Sequence, residues 1–302
     1  MTKTETNGAG RTVRLNNGVE MPLLGLGAMT VAPPDQSFEA VEAALRSGYR
    51  LIDTAAAYMN EDRVGEAIRQ SGLKRSEVFV TTKLWISDYG YDRALHGFER
   101  SVRKLGLDYV DLYLLHQPVP TEFGDTAEAY RAAEQLLADK RVRAIGVSNF
   151  SAKHIDDLMR TAKVTPAVNQ IELHPFFSQR ELVVELGRRG IVPQAWSPLG
   201  GINRYTPGVS GQDPFGNPTI RSIAEKHGKT PAQVILRWHI EHGVSPIPKS
   251  VRAERIAENI DVFDFELTPA EVAAIDALDQ GARSGPDPET FSLEVFDFRI
   301  QD

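Results

Sequence analysis

The chain has 302 residues, with 34 Lys plus Arg against 41 Asp plus Glu, a formal net charge of −7 and no cysteine. An acidic balance without any basic run argues against nucleic-acid or anionic-membrane partners, and the missing cysteine excludes disulfides, thiolate nucleophiles and zinc sites with sulfur ligands. The first ten residues, MTKTETNGAG, are polar and lack the apolar core of a secretory signal, and no stretch approaches about 18 unbroken apolar residues; a soluble, cytoplasmic protein with a disordered segment over 1–10 is expected.

Taken in chain order, RTVRLNNGVEM (11–21) places two short flanks around Asn17-Gly18 and predicts a β-hairpin. Short apolar runs with strand character follow: LLGLG (23–27), YRLID (49–53), VFVTT (78–82), VDLYLL (110–115), VRAIGVS (142–148), AVNQIEL (167–173), IVPQAW (191–196) and VSPIP (244–248). Most are rich in Val, Ile, Leu or aromatics, as buried parallel strands are. Helical patterns lie between them. Leu95, Phe98, Val102 and Leu105 step by three, four and three residues onto one helical face. TPAQ at 230 and TPAE at 268 each offer a Thr cap, a Pro at the first helical position and a Gln or Glu three residues after the cap. His239 and His242, three apart on a predicted helix, read as part of a solvated face rather than as metal ligands. GGINRYTPGVSGQDPFGNP (200–218) is long and rich in Gly and Pro, so a mobile loop at the active site is expected.

Eight strands alternating with helices predict the α/β class and a (β/α)8 TIM barrel preceded by an N-terminal hairpin, one domain over 1–302. Length alone would also allow two average domains. The rival is an open doubly wound sheet, but GLGAMT (25–30) has Thr30 where a third fingerprint glycine should stand.

The residues that end the strands carry the chemistry: Asp53, Lys83, His116, Ser148 with Asn149, Gln170, Trp196 with Ser197, and Lys249. Each alone is a common loop residue, but a barrel brings all its C-terminal strand ends to one face, where ligands bind. No His-x-His, His-Glu-x-x-His or Gly-x-Ser-x-Gly stretch occurs, so neither a metal cage nor a serine hydrolase is supported. Tyr58, five residues past Asp53, is a poor acid at its free pKa of about 10. Beside a lysine ammonium its phenolate is stabilised and the pKa falls. Asp53 would hold Lys83 charged, giving a Tyr-Lys-Asp relay, with His116 left to orient or polarise a substrate oxygen.

At these residues the chain resembles the aldo-keto reductases, through GYRLIDTAAAYMNE, TTKLW, LGLDYVDLYLLHQP, RAIGVSNF, NQIELHP, WSPL and IPKSV in order over nearly the whole chain. It is most similar to the prokaryotic branch that includes diketogluconate and methylglyoxal reductases. The resemblance implies a catalytic tetrad of Asp53, Tyr58, Lys83 and His116, with Tyr58 as general acid and His116 marking carbonyl reduction, since double-bond reductases of the family carry Glu there. It also implies NADPH lying extended across the barrel mouth. Ser148, Asn149 and Gln170 would hold the nicotinamide carboxamide, Trp196 would stack on the ring, and Ser197, Leu199 and Gly201 would surround the pyrophosphate. Lys249, Ser250 and Arg255 would grip the ribose phosphate, and Glu258 and Asn259 would meet adenine. An ammonium, a hydroxyl and a guanidinium suit a dianion, which favours NADPH over NADH.

Three positions depart from the family pattern. Leu51 replaces a His, read as a packing change; Met29 replaces an aromatic in the substrate pocket, which also includes Trp85; and Gln117 replaces a Trp. Two readings stand beside the reductase: an NADPH-binding sensor without significant turnover, and a metal-dependent barrel hydrolase, for which the ligand spacings are missing. A small-molecule carbonyl substrate and a monomer are expected.

Overall fold

The computed structural model describes residues 12–29, 35–200 and 213–300. Its first element is the expected hairpin, β1 (Thr12–Arg14) and β2 (Glu20–Pro22), paired antiparallel with Val13 opposite Met21. The connection turns at Gly18, whose φ of 87° falls in the left-handed region that glycine enters without strain. Met21 is fully buried and joins Leu15, Leu51, Phe79, Leu112, Leu114, Ala144, Val168 and Ile247 in one cluster. The hairpin therefore seals the barrel interior with side chains from at least five strand segments.

Eight strands run parallel in chain order: β3 (Leu26–Gly27), β4 (Leu51–Asp53), β5 (Phe79–Leu84), β6 (Val110–Leu115), β7 (Val142–Ser148), β8 (Val168–Glu172), β9 (Val192–Trp196) and β10 (Ser245–Pro246). Gly25 N–H donates to Pro246 O and Gly27 N–H to Pro248 O, each at 3.1 Å, and these bonds join the first strand segment to the last. The sheet is thus the closed barrel the strand count predicts, not the open rival. Gly27 is required at this seam, because a Cβ there would stand 2.9 Å from Ile247 O.

The helices are α1 (Asp35–Arg46), α2 (Glu61–Gln70), α3 (Tyr91–Leu105), α4 (Phe123–Ala138), α5 (Ala152–Leu158), α6 (Arg180–Arg188), α7 (Pro218–His227), α8 (Pro231–Glu241), α9 (Ala253–Ile260) and α10 (Pro269–Asp276). Phe98, Val102 and Leu105 of α3 are buried and Leu95 packs at the edge of the same core, as their spacing predicts. Both Thr-Pro starts form reciprocal caps. Thr230 Oγ1 accepts from Gln233 N–H while Gln233 Oε1 accepts from Thr230 N–H, and Thr268 and Glu271 repeat the arrangement.

Two features differ from the sequence reading. His239 is not on a solvated face: it is fully buried, because α8 is covered along most of its surface from Ala232 to His239. His242, at the end of the same helix, lies 2.8 Å from Asp276 Oδ1. The second feature is a strap after α10. Gln280 and Ala282 N–H both donate to Phe176 O at 3.1 Å, and further along Trp85 Nε1–H donates to Phe298 O at 2.7 Å. The strap crosses from the segment after β8 to the segment after β5. Most of the loop expected at 200–218, and the segment 1–10, lie outside the described residues. Among the described residues no helix is long and apolar enough to cross a membrane.

Candidate active site

Asp53 ends β4 and Lys83 lies one residue short of the end of β5, so the parallel sheet presents both at the same barrel mouth. Lys83 Nζ donates to Asp53 Oδ1 at 2.6 Å, to Thr54 O at 3.0 Å and to the Tyr58 hydroxyl at 3.2 Å. Burial alone would depress this ammonium, but the Asp53 carboxylate and the Tyr58 oxygen outweigh it and hold Lys83 above the ordinary lysine range. Tyr58 closes a single 3-10 turn, Ala56–Tyr58. That turn is anchored by buried Asn60, which accepts from Thr54 Oγ1 at 2.7 Å and donates to Ala28 O at 2.8 Å and Ser37 Oγ at 3.0 Å.

His116 follows β6, and its ring lies at the mouth, 5.8 Å from that of Tyr58 and 5.2 Å from that of Trp85, edge-on to both. Burial, and then the Lys83 charge, hold its pKa well below the ordinary histidine range. The imidazole is therefore neutral near pH 7 and retains one N–H to donate. Trp85 is fixed by its bond to Phe298 O and by the edge of Phe291 at 5.9 Å. Met29 is 36% exposed at the end of the segment leaving β3. Leu51 is fully buried, and a Cβ on Gly25 would lie 2.5 Å from its Cγ, so its side chain packs directly on the bare backbone of Gly25.

Ser148, Asn149, Gln170 and Trp196 form a hydrogen-bonded network at the mouth. Ser148 Oγ–H donates to Gln170 O at 2.8 Å. Gln170 Nε2–H donates to Asp53 Oδ2 at 2.8 Å and to Gln194 Oε1 at 2.7 Å. Asn149, in the left-handed region at φ 66°, donates to His116 O at 3.0 Å and to Ser148 Oγ at 3.1 Å, while its Oδ1 accepts from Trp196 Nε1–H at 2.8 Å. Ser197 is also left-handed, at φ 49°, and turns the chain towards Leu199, which packs on the core edge. Gly201 lies outside the described residues. His239 Nε2 stands 2.9 Å from Pro198 O, next to Ser197.

At the far end, Lys249 and Arg255 are exposed and Ser250 is half-buried, leading into α9. Two cations and a hydroxyl at a helix start suit a phosphate dianion. Glu258 Oε1 accepts from Thr230 Oγ1–H at 2.7 Å and Asn259 is buried. Glu258 is thus tied to the cap of α8, and both residues lie about one helical turn along α9 from Arg255. Taken together, a half-buried indole held edge-on by Asn149, an αL turn after it and a cationic group at the other end fit an extended, phosphorylated dinucleotide.

Reading the sequence did not find Gln194, Asn60 or Glu172. Gln194 is a fully buried polar residue inside β9, and its amide in VPQAW, among apolar neighbours, was the available signal. Among the described residues no group of three or more His, Asp or Glu could hold a metal ion.

A barrel whose mouth gathers a lysine, a carboxylate, a tyrosine and a neutral histidine defines a class of oxidoreductase fold and site, and comparison with known proteins gives the family. The Aldo/keto reductase family model matches residues 23–280, and the chain belongs to this family. It is 53% identical over 287 residues to morphine 6-dehydrogenase of Pseudomonas putida, covering 94% of this chain and 96% of that protein. It is 48% identical over 278 residues to glyoxal reductase of Bacillus subtilis, covering 92% and 96% respectively. Among solved structures, the aldo-keto reductase of Bombyx mori in complex with NADP matches with a TM-score of 0.87 at 36% identity, covering 97% of this chain and 99% of that one.

Proposed function

We propose that this protein is an NADPH-dependent reductase of small aldehydes, ketones or dicarbonyls. The observation that carries the proposal is Lys83 Nζ placed between Asp53 at 2.6 Å and the Tyr58 hydroxyl at 3.2 Å. Relatives named as a glyoxal reductase and a morphine 6-dehydrogenase, and a structural neighbour solved with NADP, support it.

NADPH, when bound, supplies hydride to the carbonyl carbon. Tyr58 gives its hydroxyl proton to the carbonyl oxygen, and the phenolate left behind is stabilised by the Lys83 ammonium until solvent returns the proton. Asp53 keeps Lys83 charged and aimed. His116, neutral, donates to the carbonyl oxygen and fixes its direction toward Tyr58. Trp85 and Met29 line the pocket. Ser148, Asn149 and Gln170 would hold the carboxamide, Trp196 would back the ring, Ser197 and Leu199 would lie along the pyrophosphate, and Lys249, Ser250 and Arg255 would take the ribose phosphate, with Glu258 and Asn259 towards adenine. The protein works as a single-domain monomer in the cytoplasm.

A panel of carbonyl compounds, assayed with NADPH and NADH side by side for loss of cofactor absorbance, tests this reading. Steady consumption with NADPH is expected; binding of NADPH without turnover on any carbonyl would replace the enzyme with a sensor.

A further inference from the structure

Glu172 is a buried carboxylate for which the proposed chemistry has no task. It ends β8 with none of its surface exposed. Its oxygens accept from Ser284 N–H at 2.7 Å, Gly285 N–H at 3.0 Å and the Ser284 hydroxyl, and His174 Nε2 stands 3.2 Å away. Burial pushes this carboxyl up, but the bonds from His174, Ser284 and Gly285 outweigh it and hold it below the usual range. An ionised group this far from water is retained only when its acceptor capacity is filled, and here most partners come from the strap, which adds the Arg283 guanidinium at 3.9 Å to the bonds from Ser284 and Gly285.

The strap residue so held lies against the indole that ends the next strand. A Cβ on Gly285 would stand 2.3 Å from Trp196 Cη2 and 3.0 Å from Glu172 Oε2, so the bare backbone at 285 fills the space between carboxylate and ring. The pyrrole edge of the same indole is held from the other side by Asn149 Oδ1 at 2.8 Å. Trp196 is thus fixed at both ends, by a side chain from β7 and by a strap that Glu172 ties down. Further along, the strap carries Phe291 and Phe298, whose rings meet Trp85.

We propose that Glu172 is a positioning residue for the cofactor ring: by clamping Ser284 and Gly285 it sets the plane in which Trp196 meets nicotinamide. The proposal rests on the reading of Trp196 as the stacking residue. Because Glu172 acts through Trp196, its contribution vanishes when the indole is absent, whereas a residue that merely held the strap would contribute in either background.

The test is a double-mutant cycle read by calorimetric NADPH affinity on the wild type, Glu172→Gln, Trp196→Ala and the double variant. Glu172→Gln is expected to weaken NADPH binding about tenfold beside Trp196 and less than about twofold beside Ala. Equal losses in both backgrounds, or no loss in the first, would overturn the clamp. Gly285→Ala keeps Glu172 and drives a methyl group chiefly at the indole, at 2.3 Å against 3.0 Å to the carboxylate; it should give the same dependence on Trp196, and it decides the matter if Glu172→Gln does not fold. A wild type that binds no NADPH would overturn the cofactor reading itself, while normal wild-type binding with additive losses overturns the clamp alone.

Discussion

Lys83 and Asp53 form an ion pair of 2.6 Å with 0% and 2% of their side chains exposed. At such burial the attraction and the desolvation cost are both large, and removing one partner strands the other. Lys83→Met should therefore lower stability by about 3–5 kcal/mol through the orphaned Asp53. The double variant Lys83→Met/Asp53→Leu should recover much of that loss without recovering turnover. Denaturant melts of the three proteins decide this; a single variant as stable as the wild type would mean the pair is not buried as described.

Arg255 and Lys249 are exposed cations flanking Ser250. If they grip the ribose phosphate, Arg255→Ala should weaken NADPH binding roughly 10- to 100-fold, the range expected for losing a charge-assisted hydrogen bond. NADH, without that phosphate, should be affected less than about twofold. Equal weakening of both cofactors would place the phosphate elsewhere.

Buried His239 makes stability depend on pH. Burial pushes its pKa from 6.5 down to about 3 in the folded chain. The unfolded chain therefore binds more protons between those values, and stability is fully present above about pH 6.5 and is lost as pH falls towards 3. The effect is on the order of a few kcal/mol by pH 4. His239→Gln should lower Tm at pH 7 yet flatten its decline between pH 7 and 4. An unchanged slope would mean other groups dominate.

Gly65 of α2 faces the end of α3, where an added Cβ would stand 1.9 Å from Leu105 O. Because the neighbour is backbone, relief requires the helices to separate. Gly65→Ala should cost about 3 kcal/mol or more and lower Tm on the order of 5–10 °C, despite a gain in helix propensity. At Gly124 an added Cβ would meet nothing within 4 Å, so this position is the control, and its change to Ala should not lower Tm.

The barrel and most of its mouth were legible because each signal was local. An apolar run ending in a polar residue marks both a strand and its C-terminal end, and closure then gathers Asp53, Lys83, His116, Asn149 and Gln170 without further information. Tyr58 was legible only by nearness in sequence to Asp53, and its anchor Asn60 was not, since its partners Ala28 and Ser37 come from another segment. The strap was illegible for a related reason. GARSGPDPETFSLEVFDF has no helix or strand period, and it is held by backbone N–H groups on Glu172, by Ala282 N–H on Phe176 O and by the bond and rings that meet Trp85. His239 misled because a helix covered on nearly all sides carries no amphipathic stripe to separate its buried from its exposed positions.

Proton delivery to the substrate by Tyr58, tuned by Lys83, is the step on which the proposed chemistry depends. Its most direct measurement pairs NADPH affinity with turnover in Tyr58→Phe, which keeps the ring and removes only the hydroxyl. Affinity should stay within about twofold of wild type while turnover falls by about a hundredfold or more. Near-normal turnover in this variant would contradict the assignment.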